Sequence, residues 1–165
     1  MISVANPHAA RAGRAILRAG GSAIDAAIAA QMVLNLVEPQ SSGIGGGGFL
    51  MHFNAKNGDL AAYDGRETAP ASATPDMFLN TDGQPLAFFD AVVGGLSVGV
   101  PGALRMLEAA HKEHGLLPWA KLFEDAIRLA EGGFTVSERL HKLVAGDRYL
   151  KRHRTTAAYF YDDTG

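Results

Sequence analysis

Arg66 is the residue of this sequence with the clearest capacity to recognise a substrate. It follows a predicted strand and has two acids close by, Asp64 and Glu67. A guanidinium group presents a planar fork of donors that can hold a carboxylate through two parallel hydrogen bonds. An arginine at a strand end more often forms a surface ion pair with a neighbouring carboxylate, which contributes little to stability. Local sequence alone therefore leaves Arg66 as either a carboxylate-binding residue or half of a solvated ion pair.

Two histidines raise the question of a metal site. His111 and His114 lie three residues apart on a predicted helix, so both rings could contact a metal on one face. No third ligand has suitable spacing, and Lys112 and Glu113 indicate a hydrated surface. The favoured interpretation is a pair of exposed helix histidines, and neither a metal nor another cofactor is predicted.

Near the end of the sequence, Thr155 and Thr156 suggest a threonine nucleophile. Only ten residues follow Thr155, too few to build a site around it, so this interpretation is rejected. The basic run that precedes them, residues 151–154, is interpreted as a solvated end of the chain.

A dense glycine run, residues 43–48, precedes the strand that leads towards Arg66. Gly43, Gly45 and Gly48 match the letters of the dinucleotide-binding pattern GxGxxG. That pattern follows a strand and opens a helix, whose N-terminus receives the pyrophosphate. Here a predicted helix precedes the glycines and a predicted strand follows, and there is no Lys-Ser or Lys-Thr pair to complete a P-loop. The run is interpreted as a sharp structural turn with neighbours packed on bare backbone.

Helices and one hairpin are predicted around these residues. The predicted elements are helices over 7–19, 22–37, 102–114, 118–131 and 137–144, hairpin strands over 49–54 and 60–63, and one short strand within 91–100. The Asn57-Gly58 pair is the strongest hairpin signal, and the second helix is apolar on nearly every side, as is typical of a buried helix. This order predicts an α/β (α+β) fold, with helices packed on a mainly antiparallel sheet, in a single domain over 1–165.

Composition narrows the classes of partner. The 165 residues include 15 Lys and Arg against 17 Asp and Glu, and this net charge of −2 gives no electrostatic reason to bind nucleic acid or an anionic membrane. The absence of cysteine excludes disulfides and thiol catalysis. No apolar run reaches the length of a membrane span, and the start shows no basic-then-apolar leader, which favours the cytoplasm. Only 19% of residues are charged, and the apolar helix is expected to need a cover from another segment or copy.

Several segments together resemble the γ-glutamyltranspeptidase family. They are Asp25–Ala29, Val37–Phe49 and Asp64–Pro70, supported by Asn6-Pro7 and Val98–Gly102, all in the family's order. The resemblance covers the chain from its first helix to about Val144. It implies an N-terminal-nucleophile hydrolase fold, an αββα sandwich of two sheets between helical layers, of which this chain is an incomplete N-terminal part of the large subunit. In that family a precursor cleaves itself, and the new N-terminal threonine of the small subunit attacks the γ-glutamyl amide of glutathione and related compounds.

The resemblance covers only the early part of the large subunit, so it implies that the catalytic nucleophile is absent from this chain. Arg66 is the one site residue that it carries over, as the arginine that holds the α-carboxylate of the γ-glutamyl group. The implied partners are a glutathione-like substrate and the small subunit or the rest of the precursor. The implied activity is γ-glutamyl transfer or hydrolysis, with this chain inactive when alone. Two alternatives stay open: a non-catalytic assembly or binding module that pairs with itself, and a related amidase of the cephalosporin-acylase type.

Overall fold

The computed structural model describes residues 1–162, in which helices accompany one small antiparallel sheet. Within that range the elements follow in this order: α1 (Pro7–Arg18), α2 (Ala23–Val37), β1 (Phe49–Asn54), β2 (Asp59–Asp64), α3 (Phe88–Val92), α4 (Ala103–His114), a 3₁₀ turn (Trp119–Phe123), α5 (Glu124–Gly132), α6 (Glu138–Gly146), a second 3₁₀ turn (Leu150–Arg152) and α7 (Arg154–Phe160). None of these helices combines the length and the apolar character that crossing a membrane requires. The last three residues of the predicted domain lie outside the described range.

The chain divides into two compact units. The first consists of Met1–Ala71 with Gly99–Thr135, and the second of Ser72–Val98 with Val136–Gly165. The first unit contains α1, α2, the hairpin, α4 and α5, so it holds Arg66 and the glycine run. The second contains α3, α6 and α7.

Capping residues define the first two helices. The Asn6 side chain accepts a hydrogen bond from a backbone N–H of the first turn of α1 (2.9 Å), with Pro7 at the first helical position. Ser22 and Asp25 form a reciprocal capping box at the start of α2. Gly20 takes a left-handed conformation (φ 88°) between the two helices, a conformation that glycine adopts without steric cost. These local signals were sufficient to predict both helices, which are confirmed.

Helix α2 is the centre of the first unit. Nine of its fifteen residues are buried, because α1 packs along it and the first 3₁₀ turn, α4 and α5 contact it as well. Ala26, Ala29 and Ala30 are among the buried residues, and their small side chains allow the neighbouring helices to approach closely. The cover that this apolar helix is expected to need therefore comes from other segments of the same unit.

Two buried acids connect helix ends that are distant in sequence. Glu38, at the end of α2, accepts a hydrogen bond from the Asn6 side chain at the start of α1 (2.8 Å). Asp25, at the start of α2, accepts hydrogen bonds from the backbone N–H groups of Leu116 and Leu117 (2.9 and 3.1 Å), which follow α4. A buried carboxylate needs such donors to offset the loss of its hydration. Both acids thus fix the arrangement of helices as well as their ends.

The predicted hairpin is confirmed. Phe49 pairs with Asp64 and Asn54 with Asp59, so the register runs over all six residues of each strand. The connection has four residues and ends at Gly58, whose φ of 79° is positive, whereas Asn57 does not take the positive φ of a two-residue Asn-Gly turn. The turn at Gly58 therefore lies where the sequence predicts it, between the two paired strands.

The hairpin presents its apolar face outwards. Phe49, Met51 and Phe53 are 70%, 68% and 62% exposed. On the opposite face, Leu50 and Tyr63 pack against the core around α2. A row of large apolar side chains on one side of a two-stranded sheet is unusual for a free surface and is typical of a surface that another segment covers.

The second unit departs from the sequence predictions. The predicted strand within 91–100 is wrong, because α3 occupies Phe88–Val92 and only Val100, in the first unit, forms an isolated antiparallel bridge, with Thr68. The valines of this stretch favour a strand, but a strand also needs a hydrogen-bonded neighbour along its length.

Ser137 caps α6 as predicted, through a hydrogen bond from the third helical N–H (3.1 Å). The second 3₁₀ turn and α7 occupy the tail, where no element is predicted.

Candidate functional site

Arg66 lies just beyond β2, on backbone that the glycine run holds in place. The Gly65 N–H donates to the Gly48 carbonyl (2.9 Å), and the Gly48 N–H donates to the Gly65 carbonyl (3.2 Å). These two hydrogen bonds extend the hairpin ladder by one pair past the last strand residues. The backbone immediately before Arg66 is therefore fixed by the last glycine of the run.

The start of α4 supports the same backbone from another direction. The N–H groups of Gly102 and Ala103 both donate to the Gly46 carbonyl (3.2 and 3.1 Å). Position 102 has no room for a side chain, since a Cβ there would lie 2.4 Å from the Gly65 carbonyl oxygen. The glycine run, the end of β2 and the start of α4 therefore meet in direct backbone contact beside Arg66.

The Arg66 side chain forms an ion pair with its neighbour. Its Nη1 lies 2.9 Å from Glu67 Oε2, without the geometry of a hydrogen bond, and the two side chains are 56% and 28% exposed. Glu67 is held by the antiparallel bridge between Thr68 and Val100 and by Gly99, where a Cβ would approach that of Glu67 to 2.8 Å. This is the pair that the ion-pair interpretation of Arg66 predicts. It engages one terminal nitrogen, so the other donors of this half-exposed fork can still bind a second carboxylate.

The glycine run connects a helix to a strand, which is the reverse of the order in a dinucleotide site. None of the glycines from 43 to 48 has a positive φ, so the run does not depend on left-handed backbone. Gly47 is the position where close packing excludes a side chain, because a Cβ would lie 2.5 Å from the Gly65 carbonyl oxygen and 2.8 Å from the Glu67 nitrogen. At Gly45 and Gly48 a Cβ would meet nothing within 4 Å.

This difference gives a prediction about stability. Gly47→Ala is expected to lower the free energy of unfolding by about 1–3 kcal/mol, because the backbone of two segments must move to admit the methyl group. Gly45→Ala, two positions earlier in the same run, is the matched control and should change it by no more than about 0.5 kcal/mol. Urea denaturation followed by the fluorescence of the single tryptophan, Trp119, measures both. Equal losses in the two variants would contradict this account of the run.

A cavity of about 700 Å³ opens beside the glycine run. Gln31 donates hydrogen bonds to the hydroxyl of Ser42 (2.6 Å) and to the side-chain oxygen of Asn35 (2.8 Å), so α2 holds the loop that precedes the run. Glycine backbone and outward-facing hairpin side chains line much of the rest, among them Gly46, Gly47, Gly48, Phe49 and Met51. The cavity therefore combines bare backbone with exposed apolar side chains.

The histidines of α4 contact different neighbours. His111 Nε2 donates to a backbone carbonyl (2.9 Å) and lies 3.5 Å from Asp25 Oδ1, while the His114 ring stacks on that of His52 with 4.0 Å between centroids. Both are largely covered, so their interpretation as exposed helix histidines is wrong. Across residues 1–162, no group of three histidines or acids has an arrangement that could hold a metal ion.

Tyr63 joins β2 to the end of α4. Its hydroxyl donates to the Glu113 carboxylate (2.8 Å) and lies 2.9 Å from His114 Nε2. Burial, followed by the hydrogen bond and the negative charge of Glu113, raises the pKa of Tyr63 above its ordinary value. The phenol is therefore neutral at physiological pH and serves as a hydrogen-bond donor between strand and helix.

Comparison with known proteins extends the motif resemblance to nearly the full chain. The sequence profile described as Gamma-glutamyltranspeptidase matches residues 9–165. The glutathione hydrolase proenzyme of Bacillus subtilis (strain 168) is 45% identical over 157 residues, which cover 95% of this chain and 27% of that protein. The crystal structure of Helicobacter pylori γ-glutamyltranspeptidase superposes with a TM-score of 0.91 at 36% identity, over 98% of this chain and 46% of that chain. A cephalosporin acylase from Bacillus halodurans superposes with a TM-score of 0.68 at 32% identity, over 99% and 31% of the two chains.

These likenesses define the class of protein first. Helices packed on an antiparallel hairpin, entered through the glycine run, form part of the αββα sandwich of an N-terminal-nucleophile hydrolase. Within that class, the chain belongs to the γ-glutamyltranspeptidase family. It spans about a quarter of the length of the curated relatives that it matches, 27% in the Bacillus subtilis protein.

Proposed function

We propose that this chain contributes the N-terminal part of the large subunit to a γ-glutamyl transferase or hydrolase that acts on glutathione and related γ-glutamyl amides. Family membership supports the reaction class. The observation that carries the proposal is Arg66, a half-exposed guanidinium on backbone held by Gly48 and by the start of α4. Arg66 binds the α-carboxylate of the γ-glutamyl group through two parallel hydrogen bonds, and Glu67 orients the fork.

The chemistry of bond breaking belongs to a segment outside these 165 residues. An N-terminal threonine supplies the hydroxyl that attacks the γ-carbonyl carbon, and its own α-amine takes up the hydroxyl proton. The proton passes to the nitrogen of the substrate amide as the C–N bond breaks and the amine leaves, and the acyl group passes from the threonine to water or to an amino acid or peptide. Arg66 orients the substrate, because a fixed α-carboxylate places the γ-amide at a defined position relative to the nucleophile.

The small subunit or the remainder of a precursor is the partner that completes this structure. The outward-facing Phe49, Met51 and Phe53 support this assignment, since a second sheet of the sandwich would bury them. The cavity beside the glycine run supports it as well, because bare backbone at Gly48 leaves room for another segment to pack. At about 25 cal/mol per Å² of apolar surface, covering three large side chains would contribute several kcal/mol to assembly.

A chimera tests the proposed function. This chain replaces the matching segment of the Bacillus subtilis glutathione hydrolase proenzyme, with which it shares 45% identity. We expect the chimera to cleave itself and to release p-nitroaniline from γ-glutamyl p-nitroanilide. A chimera that cleaves itself into two chains yet gives no turnover would contradict the proposal.

The isolated chain is the matched comparison for the chimera. It should release no p-nitroaniline, because its own Thr155 and Thr156 lie in α7 of the second unit and are not the nucleophile. Clear turnover that survives substitution of both threonines would show that the nucleophile lies elsewhere in these residues. Adding a cephalosporin-type amide to both assays tests the acylase alternative, which the likeness to the Bacillus halodurans enzyme supports.

A self-associating module is the second candidate, and the exposed hairpin face favours it. Two copies that cover Phe49, Met51 and Phe53 mutually would bury the same apolar side chains that the partner subunit would bury. Light scattering of the isolated chain separates the candidates, since the module requires a stable dimer and a dispersed monomer excludes it.

A further inference from the structure

The second unit carries a run of cations that have no acidic partner among the described residues. Four exposed basic side chains lie within seven residues and form no ion pair with any carboxylate of the described chain: Arg148, Lys151, Arg152 and Arg154. Asp147, the acid beside them in sequence, is occupied locally, because its Oδ1 accepts hydrogen bonds from two backbone N–H groups of the following turn (both 2.7 Å). Residues 147–154 therefore carry four cations against one acid, Asp147, and none of the four is ion-paired within residues 1–162.

Aromatic rings hold two of these cations in place. The Arg152 guanidinium carbon lies 4.5 Å from the centroid of the Tyr149 ring, which stacks on Phe89 with 4.8 Å between centroids. The Lys151 ammonium lies 4.5 Å from the centroid of Tyr161, whose hydroxyl donates to a backbone carbonyl (2.6 Å). A ring face attracts a cation without accepting its directed hydrogen bonds. Both side chains are thereby ordered while their N–H donors stay available to an anion.

A cavity of about 550 Å³ adjoins this cluster, a size within the range of ligand pockets. Its apolar wall is formed by Phe89, Val92, Val93, Tyr149 and Leu150. Asp147, His153, Thr155 and Thr156 add polar groups to its lining. The four cations do not line this cavity but lie next to residues that do, so a basic segment adjoins a largely apolar recess that can receive one large side chain.

We propose that residues 148–154, together with this cavity, bind an acidic peptide that carries an apolar side chain. Carboxylates of the peptide pair with the four cations, and the apolar side chain enters the recess beside Tyr149. Charge complementarity selects carboxylates over neutral peptides. The overall charge of −2 and the small extent of the cluster disfavour nucleic acid, which requires a long basic surface to follow its phosphates. This assignment is independent of Arg66 and of the proposed enzymatic function.

Peptide titrations test the proposal on the 165-residue chain. The probe is Glu-Glu-Phe-Glu-Glu labelled with an uncharged dye and followed by fluorescence anisotropy. We expect it to bind about tenfold more tightly than Gln-Gln-Phe-Gln-Gln, and more weakly as salt rises from about 50 to 200 mM, because exposed charge pairs are screened. Glu-Glu-Ser-Glu-Glu should also bind more weakly, since it leaves the recess empty. If Gln-Gln-Phe-Gln-Gln binds as tightly as Glu-Glu-Phe-Glu-Glu, the proposal is overturned. If Glu-Glu-Ser-Glu-Glu binds as tightly, the proposed role of the cavity is overturned.

A double variant identifies the surface. Lys151→Gln with Arg152→Gln should weaken binding of the Glu-Glu-Phe-Glu-Glu peptide about tenfold. Both side chains are exposed, and the substitutions remove the two positive charges that lie over tyrosine rings. Arg14→Gln with Arg18→Gln is the matched control, since it removes the same charge from exposed positions of α1 in the first unit. Circular dichroism confirms that both variants keep the fold. Equal weakening in the control, or tighter binding of an oligothymidine or of anionic lipid vesicles than of the peptide, would overturn the assignment.

Discussion

Asp25→Ala is expected to lower the free energy of unfolding by about 3–5 kcal/mol. The Asp25 side chain is fully buried, and its Oδ2 accepts three backbone N–H groups, from Ser22, Leu116 and Leu117 (2.9, 2.9 and 3.1 Å). Alanine leaves all three donors without their acceptor, and each unsatisfied donor costs about 1–3 kcal/mol where water cannot replace the bond. A loss of this size is a large share of the roughly 5–15 kcal/mol that stabilises an ordinary domain.

Two of those donors connect Asp25 to the candidate site. Leu116 and Leu117 follow the C-terminal end of α4, and the N-terminal end of the same helix is hydrogen-bonded to Gly46 beside Arg66. Asp25 therefore anchors the far end of the helix whose near end supports the Arg66 backbone. Urea denaturation followed by circular dichroism measures the loss. Asp90→Ala, at an exposed aspartate, is the control, and equal losses in the two variants would contradict the assigned role.

Asp25→Asn distinguishes the contributions of the two carboxylate oxygens to stability. The amide oxygen can replace Oδ2 and keep the three backbone donors satisfied. The amide nitrogen must then replace Oδ1, which has no hydrogen-bond donor among the described residues and lies 3.5 Å from His111 Nε2. Since that nitrogen already donates to the Leu117 carbonyl (2.9 Å), two donors would face each other. We expect the asparagine variant to lose about half as much stability as the alanine variant.

Local chemistry explains why most elements could be predicted from sequence. Asn6 and Ser22 carry the side-chain acceptors that start helices, and Asn57-Gly58 determines the hairpin turn. In each case the signal and its structural effect lie within a few residues of each other. The 91–100 stretch is the counterexample, because its valines favour a strand locally and no neighbouring strand pairs with more than Val100.

Long-range contacts explain what the sequence could not reveal. The five clustered glycines look alike, yet close packing excludes a side chain at Gly47, where the obstructing oxygen belongs to Gly65. His111 seems exposed in a hydrated stretch of sequence, but Asp25 covers it from 86 positions away. No pattern of spacing reports such contacts, because they depend on how the elements pack.

Arg66 shows the same limit at the candidate site. The residue type and its place after a strand predict either carboxylate binding or a local ion pair, and the structure contains the pair with Glu67. Its backbone frame, made by Gly48, Gly65 and Gly102, is visible only once the fold brings them together. A kinetic measurement with a γ-glutamyl substrate tests whether Arg66 binds a carboxylate or serves only in the ion pair with Glu67.

If Arg66 has its proposed role, Arg66→Ala in the active chimera weakens binding of γ-glutamyl substrates by about 2–5 kcal/mol, because the α-carboxylate then loses its bidentate partner in a site that a second subunit is proposed to close. This corresponds to a rise in KM of roughly 30-fold or more. Arg66→Lys keeps the charge but lacks the fork, so an intermediate loss is expected. Arg105→Ala is the control and should leave KM unchanged. Arg105 is an exposed residue of α4, and its Nη1 lies 3.6 Å from Glu108 Oε2.

A substrate without the α-carboxylate makes the assignment specific. With 4-aminobutyryl p-nitroanilide, the group that Arg66 is proposed to hold is absent, so Arg66→Ala should change kcat/KM little relative to the unsubstituted chimera. The penalty for removing the carboxylate and the penalty for removing the guanidinium should then be strongly non-additive, as expected for two groups in contact. Equal losses with both substrates would mean that Arg66 supports the Gly65–Glu67 backbone instead of binding substrate, and an unchanged KM and kcat with both would remove it from the site.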